Sequence, residues 1–251
     1  MQNKTWCSEY TREALIRQIE NHDIISFDIF DTLVMRTVYV NKDVFRLLAK
    51  KLDPVWGIDF FTARTRAEFE LSREIYPYIE EIYADVVAHY PCLAGHEAEL
   101  IEQEIALEKE VIIPRHEMVE IFNLAKQMGK MVNIVSDMYF REDTIRSILD
   151  GVGITGYDKL LVSSEYNSSK PQHLFDKYLA ELPEGRCLHV GDSWACDILP
   201  SGKLGIDSFR LKMSTEIYEY EENTIPPEDL AERTQVAKYV AERYNSPFLK
   251  K

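Results

Sequence analysis

Paired cysteines, long apolar runs and clusters of basic residues are all missing from this chain of 251 residues. Its four cysteines are scattered and include no CxxC pair, which favours reduced thiols over a disulfide or zinc framework. No apolar run is long enough for a signal peptide or a membrane helix, so we expect a cytoplasmic protein without membrane insertion. Aspartate and glutamate outnumber lysine and arginine by 43 to 29, and without a basic patch this balance argues against a nucleic-acid partner.

Short apolar runs and helical patterns alternate along most of the chain. Buried strands are predicted at residues 24–28, 131–136, 160–163, 187–191 and 206–211. Helices are predicted at residues 114–129, 141–151, 171–182 and 193–204. Regular alternation of strand and helix predicts an α/β fold, a Rossmann-like parallel sheet with helices on both faces.

The first two predicted strands are separated by about a hundred residues, far more than one crossover connection requires. Within this stretch, residues 41–111 show one helical pattern after another. Asn41 is expected to cap the first helix, and Pro54, Pro77 and Pro91 are expected to break the series. The sequence therefore predicts an inserted all-α cap, called the cap segment below.

These patterns divide the chain into three parts. We predict a core of residues 1–40 and 112–212, the cap segment at 41–111, and a C-terminal extension at 213–251. The extension begins as a charged, aromatic link and continues as a helix over 228–244. Whether it is an ornament of the core or the start of a further domain is left open.

Polar side chains follow several of the predicted strands. In an open parallel sheet ligands collect at the carboxyl ends of the strands, so these residues are expected to form one site. They are Asp28, Ser136, Asp137, Asp192 and Asp197, with Lys170 from the loop after the third strand. Carboxylate oxygens suit Mg²⁺, and a carboxylate can attack phosphorus where cations and hydroxyls offset the repulsion between anions. Asp28 is the predicted nucleophile.

Four stretches carry a resemblance to a known family. "FDIFDTL", "VNIVS", "SSKP" and "HVGDSWACD" occur in this order along residues 24 to 211. Together they resemble the four motifs of the haloacid dehalogenase-like (HAD) superfamily, most of whose members are Mg²⁺-dependent phosphatases and phosphotransferases. A helical insert just after the first motif is a familiar position for the cap of such proteins. The resemblance implies a hydrolase that acts on a small phosphorylated metabolite.

The resemblance also implies a role for each matching catalytic residue. Asp28 would be the nucleophile, which forms an aspartyl phosphate. Ser136 would donate a hydrogen bond to the phosphoryl group, and Lys170 would neutralise both the nucleophile and the phosphoryl oxygens. Thr32 would brace the turn after the nucleophile.

The implied cofactor is Mg²⁺. Its ligands would be the carboxylates of Asp28 and Asp192 and the main-chain carbonyl of Phe30. Asp197 would complete the acidic cluster, either as a ligand through water or by orienting Lys170.

Phe30 departs from the usual phosphatase pattern, in which the second residue after the nucleophile is an aspartate that protonates the leaving group. Asp31 follows one position later and would face the other side of an extended segment, so we expect a turn residue that bonds nearby backbone amides. Three explanations stay open. Either the substrate has a good leaving group, or the proton comes from Asp31 or a cap residue, or the site binds its ligand without efficient turnover.

The departure at Phe30 leaves two functions open besides phosphoryl chemistry. Haloacid dehalogenases place an aromatic residue at the position of Phe30, but they need no metal and lack the intact glycine and aspartate pair that Gly191 and Asp192 form here. A catalytically weak binding or assembly module is the other alternative. The "FDIFDTL" variant is also similar to HAD-like domains joined to glycosyltransferases in bacterial surface-polysaccharide proteins, which makes such a module a possible partner.

Several other polar residues could bind a second substrate anion. Arg64, Arg66 and Arg73 occur at helical spacing in the cap segment, and Arg115 and His116 lie near the return to the core. Most of these side chains are expected to pair with the abundant glutamates instead. Asp137 is expected to have a structural role.

Overall fold

The computed structural model describes residues 10–248, so Cys7 lies outside the described part of the chain. Within that part the strands are β1 (Ile24–Phe27), β2 (Val34–Arg36), β3 (Ile112–Pro114), β4 (Met131–Ser136), β5 (Lys159–Val162), β6 (Cys187–Gly191) and β7 (Asp207–Arg210). Five of them form one parallel sheet in the order β5-β4-β1-β6-β7. All five begin and end within one residue of their predicted positions, and the predicted α/β fold is confirmed.

Helices occupy most of the remaining described chain. They are α1 (Arg12–Glu20), α2 (Asp43–Trp56), α3 (Phe60–Leu71), α4 (Ile79–His89), α5 (Glu97–Val111), α6 (His116–Gln127), α7 (Glu142–Gly151), α8 (Ser163–Tyr166), α9 (Phe175–Ala180), α10 (Leu199–Lys203), α11 (Ser214–Glu222) and α12 (Leu230–Arg243). A 3₁₀ turn at Pro91–Leu93 and π-helical turns at Lys170–Leu174 and Trp194–Ile198 complete the series. Among the described residues no helix is long and apolar enough to cross a bilayer.

The central strand β1 is buried on both faces of the sheet. All four of its residues are buried, and it pairs with β4 on one side and β6 on the other. Phe27 contacts Phe122 of α6 at 5.7 Å between ring centroids, so a helix covers that side of the strand. Consecutive buried residues, rather than alternating ones, are what a strand needs when helices cover both faces of a parallel sheet.

The cap segment contains α2, α3, α4 and α5, as the helical patterns predict, but two expectations about its ends were wrong. Asn41 does not cap α2, which begins at Asp43 without a side-chain cap hydrogen bond. Pro54 does not break α2 either, because it lies in the last turn, where it removes one backbone hydrogen bond, and the helix ends at Trp56. Gly57 then adopts φ of +65°, the left-handed conformation that terminates many helices.

Two elements were not predicted from the sequence. Strands β2 and β3 pair antiparallel where the chain leaves and re-enters the core, with Met35 opposite Ile113. Three residues are too few to show a period, so only the pairing reveals these strands. The extension begins with helix α11 rather than a link, because Ile217 packs in a small core with Val240 and Tyr244 of the C-terminal segment.

Candidate active site

Three neighbouring strands of the sheet end in the polar residues of the predicted site. Asp28 follows β1, and its amide donates to the carbonyl of Val190 in β6 at 2.9 Å. Ser136 is the last residue of β4, and Asp192 follows the last residue of β6. Parallel strands end at the same edge of the sheet, and this common edge brings the three side chains together.

The Lys170 ammonium joins two of the carboxylates. Its Nζ lies 2.7 Å from Asp28 Oδ1 and 2.5 Å from Asp197 Oδ1, and the side chain is 3% exposed. The Lys170 amide donates to Asp137 Oδ1 at 2.9 Å, which anchors the start of the π-helical turn. Burial alone would lower the pKa of Lys170, but the carboxylates of Asp197 and Asp28 hold it well above its usual value. The ammonium therefore stays charged.

Asp197 is held on all sides by hydrogen bonds. Besides Lys170, its carboxylate has His189 Nε2 at 3.0 Å and accepts from the amide of Ser193 at 2.9 Å. Burial would favour the neutral acid, but the Lys170 charge and the His189 contact hold the pKa of Asp197 below its usual range. Gly191 makes this packing possible, because a Cβ there would lie 2.3 Å from Asp197 Cγ.

His189 is a member of the cluster that sequence reasoning missed. It is fully buried, and its Nδ1 lies 2.8 Å from Ser26 Oγ. Burial lowers the pKa of His189, which favours the neutral imidazole. This neutral ring is the hydrogen-bond partner of Asp197. A polar residue within an apolar strand was the signal, since a buried imidazole needs a partner on each nitrogen.

Asp28, Asp192 and Asp197 form a group that could hold a metal ion. One ligand atom from each lies within 4.8 Å of the others. Burial raises the pKa of Asp28 to about 7, and burial together with the charge of Asp28 raises the pKa of Asp192 to about 8. Such shifts mark negative charge that the protein alone does not balance, and an oxygen donor set of this kind fits a hard divalent cation.

Two hydroxyl groups at the same edge are buried without a partner in the described chain. They belong to Ser136 and Thr32, which are both inaccessible to solvent. Buried polar groups nearly always have a hydrogen-bond partner in a folded protein, so an orphaned hydroxyl marks a place for a ligand atom. Phosphoryl oxygens would supply acceptors at this position.

Neither Phe30 nor Asp31 reproduces the usual position of the general acid. The Arg36 guanidinium lies 4.1 Å from the centroid of the Phe30 ring, and its Nε donates to Glu108 at 2.6 Å. Asp31 adopts φ of +57°, and its carbonyl accepts a hydrogen bond from Arg115. Within residues 10–248 the Asp31 carboxylate accepts no hydrogen bond from a backbone amide, so the expectation that it would do so was wrong.

The cap-segment arginines that could bind a second substrate anion are paired with acids instead. Arg64 is fully buried against Glu104, with bonds of 2.7 and 2.9 Å, and Arg66 pairs with Asp85 at 2.7 Å. Arg73 pairs with Glu70 at 3.1 Å on the surface.

Arg115 is also fully buried. It donates to the carbonyls of Asp31, Asn245 and Lys212. The side chain of His116 is exposed. Pairing with acids is therefore as expected in the cap segment, whereas Arg115 serves main-chain carbonyls.

Two of the cavities within residues 10–248 are lined by acids that follow β4 and β1. The first, called the cap cavity, has a volume of about 350 Å³ and lies between the cap segment and the core. Its lining includes Arg36, Glu68, Tyr76, Glu108 and Asp137. The second, called the extension cavity, has a volume of about 470 Å³, and its lining includes Asp31 and residues of the C-terminal extension.

Solved structures with a fold similar to that of this chain include HAD proteins. Over 76% of this chain and 87% of the other, it is similar to the Bacillus subtilis protein YfnB bound to magnesium, at 16% identity and a TM-score of 0.50. The chain has the HAD-like fold. An HAD phosphatase from Thermococcus onnurineus aligns over 76% of this chain and 86% of that one, at 19% identity and a TM-score of 0.51.

A dehalogenase has the HAD-like fold as well. The 2-haloacid dehalogenase of Pseudomonas syringae aligns over 88% of this chain and 99% of that one, at 16% identity and a TM-score of 0.54. No protein-family profile matches the chain, and no curated protein does. At such identities the likeness concerns the fold alone, so the choice between phosphoryl and halide chemistry depends on the residues of the site.

Proposed function

We propose that this HAD-like protein is a Mg²⁺-dependent phosphohydrolase or phosphotransferase that acts on a small phosphorylated metabolite, such as a sugar phosphate. The observation that carries the proposal is the Lys170 ammonium between Asp28 and Asp197, at the sheet edge where the unpartnered hydroxyl of Ser136 ends β4. A buried cation next to a carboxylate and an orphaned hydroxyl suits an incoming phosphoryl group, whose negative charge it offsets.

Asp28 is the nucleophile in the proposed reaction. One carboxylate oxygen of Asp28 accepts from Lys170, which leaves the other oxygen to attack phosphorus. The bond from this oxygen to phosphorus forms as the bond to the leaving oxygen breaks, and the leaving oxygen keeps the electron pair. Water or an acceptor hydroxyl then attacks phosphorus and releases the Asp28 carboxylate.

The metal would be held by Asp28, Asp192 and the Phe30 carbonyl. When bound, it would neutralise phosphoryl oxygens and bring them to the nucleophile. Asp197 acts differently in this proposal. Lys170, His189 and the Ser193 amide already occupy its oxygens, which supports a role in orienting Lys170.

Mg²⁺ affinity is expected to increase with pH. The pKa values of about 7 for Asp28 and about 8 for Asp192 mean that both acids retain protons at pH 6, and Mg²⁺ must displace them. Between pH 6 and pH 8.5 the dissociation constant should fall by at least about tenfold, because each proton released adds a factor of up to ten per pH unit. Isothermal titration calorimetry with MgCl₂ measures it. An affinity that stays constant across this range would contradict the assignment, and Asp192→Asn should flatten the dependence.

The proposed function is tested by comparing the wild type with Asp28→Asn. Phosphorylated metabolites, including acyl and anomeric phosphates, are screened for phosphate release with and without Mg²⁺. We expect turnover by the wild type only with Mg²⁺ and none above background by the variant, because an amide is a poor nucleophile and a poor metal ligand. Equal turnover by both proteins would exclude Asp28 as nucleophile.

Phe30 supports one alternative that the same screen can address. An aromatic residue at this position favours carbon–halogen cleavage, whereas the retained Asp192 opposes it. Halide release from 2-haloacids without added metal would support the dehalogenase. Binding without turnover, together with activity gained in Phe30→Asp, would support a binding or assembly module, for which a glycosyltransferase module is the predicted partner.

A further inference from the structure

In the proposed phosphoryl transfer, a basic leaving oxygen needs a proton. Phe30 has none to give, and Asp28 is consumed as the nucleophile. The proton donor must therefore be another acid that borders the space where a leaving group fits. The cap cavity offers such a space, and its lining includes Asp137, which anchors the same Lys170 that holds Asp28.

Three acidic side chains line the cap cavity, and two of them are bound to arginines. Glu68 pairs with Arg64 at 2.8 Å, and Glu108 accepts from Arg36 at 2.6 Å. Each of these two carboxylates therefore already has a guanidinium as its partner. The third, Asp137, accepts a main-chain amide instead. Asp31 lines the extension cavity, whereas Asp137 lines the cap cavity.

The sheet places Asp137 at the same edge as the nucleophile. Phe27 of β1 pairs with Ile134 of the parallel neighbour β4. Asp28 directly follows β1, and Asp137 directly follows β4. Neighbouring parallel strands are about 4.8 Å apart, so a carboxyl group that follows β4 is near the segment after β1, where the usual acid is missing.

The surroundings of Asp137 favour its protonated form. Burial raises its pKa, and the Lys170 charge opposes this only in part. Tyr76 of the cap segment lies close by. Burial raises the pKa of Tyr76, and the charge of Asp137 adds to the effect. The carboxyl group is thus enclosed between the core and the cap segment.

We propose that Asp137 is the general acid of the site, which donates its proton to the leaving oxygen as the bond to phosphorus breaks. The resulting carboxylate then takes a proton from the water that attacks the aspartyl phosphate. This inference rests on the proposed function. It assigns a substrate class, since an enzyme with its own acid can release alcohols and phenols from their phosphate esters and is not restricted to acyl phosphates and other anhydrides.

The test compares two substrates that differ in their need for a proton. Phenyl phosphate has a basic leaving group, whereas acetyl phosphate has an acidic one. Asp137→Asn keeps the oxygen that accepts the Lys170 amide but removes the proton. We expect the variant to lose about 10²–10⁴-fold in kcat on phenyl phosphate and to stay within about threefold of the wild type on acetyl phosphate.

Asp31→Asn is the matched control, because it makes the same change in the other acid near the site. It should leave the ratio of the two rates unchanged, and a leaving-group-dependent loss in this variant would overturn the proposal. An equal loss on both substrates in Asp137→Asn would also overturn it, since Asp137 would then only position Lys170.

Failure of the inference and failure of the proposed function give different results. Mg²⁺-dependent turnover of acetyl phosphate without turnover of phenyl phosphate by the wild type would overturn the general acid and leave the proposed function standing. No Mg²⁺-dependent turnover of acetyl phosphate would overturn both.

Discussion

Replacing Lys170 by methionine is expected to lower kcat/KM by about 10³-fold or more on any substrate found in the screen. Methionine is similar in length and removes the charge that lies 2.7 Å from Asp28 and 2.5 Å from Asp197. Burial and the charge of Asp197 both raise the pKa of Asp28, and Lys170 opposes them. Without Lys170 the pKa of Asp28 should rise further, and an incoming phosphoryl group would meet the two acids without the ammonium that offsets their charge. Loss of a single oriented donor already costs about 10²–10³-fold in other enzymes.

Steady-state kinetics in saturating Mg²⁺ measure this effect. Lys159→Met is the matched control, because Lys159 also pairs with an acid, Glu181, at 2.9 Å, but on the surface. It should retain wild-type activity. A Lys170→Met protein that is folded by circular dichroism and within tenfold of the wild type would show that Lys170 does not stabilise the reacting groups.

Replacing Arg64 by methionine is expected to lower the free energy of unfolding by about 3–5 kcal/mol. Arg64 is fully buried in the cap segment, and both of its bonds to Glu104 are shorter than 3.0 Å. Glu104 is itself inaccessible to solvent and accepts from the hydroxyl of Tyr83 at 2.7 Å. Removing the guanidinium leaves a buried carboxylate without its counter-charge, and that uncompensated charge is the source of the loss.

Urea denaturation of both proteins gives this difference directly. Arg73→Met provides the comparison, since Arg73 forms an ion pair with Glu70 in which both side chains are about half exposed or more. Exposed pairs of this kind contribute about 0–1 kcal/mol, so this variant should unfold almost as the wild type does. Similar losses in the free energy of unfolding for the two variants would show that a buried carboxylate left by Arg64→Met destabilises the protein no more than an exposed one.

The strands of the core could be predicted because each is a short apolar run that must be buried wherever it lies. The same logic located the site, since polar residues after such runs meet at one edge of a parallel sheet. Asp28, Ser136 and Asp192 are brought to that edge, and Lys170 reaches it from the following loop. Their chemical roles, and the division of the chain into core, cap segment and extension, stay predictions.

Other features depend on contacts between residues far apart in sequence, which no local pattern reports. Strands β2 and β3 exist because residues 34–36 meet residues 112–114. Helix α11 is stabilised by packing against α12. The role of Arg115 follows from three carbonyls that approach it from distant parts of the chain. Such contacts are formed only when the whole chain folds.

The sequence by itself determined the parallel sheet, the helical insert and the set of residues at the strand ends, because hydrophobic period and strand order depend on local composition. It also located the departure at Phe30. Only the tertiary structure decided where the neighbouring acids point. Asp31 takes a left-handed backbone conformation and lies on the extension cavity, whereas Asp137 lies on the cap cavity and anchors Lys170. Side-chain direction at the end of a strand depends on the turn that follows and on the partners that it meets, and distant segments supply these partners.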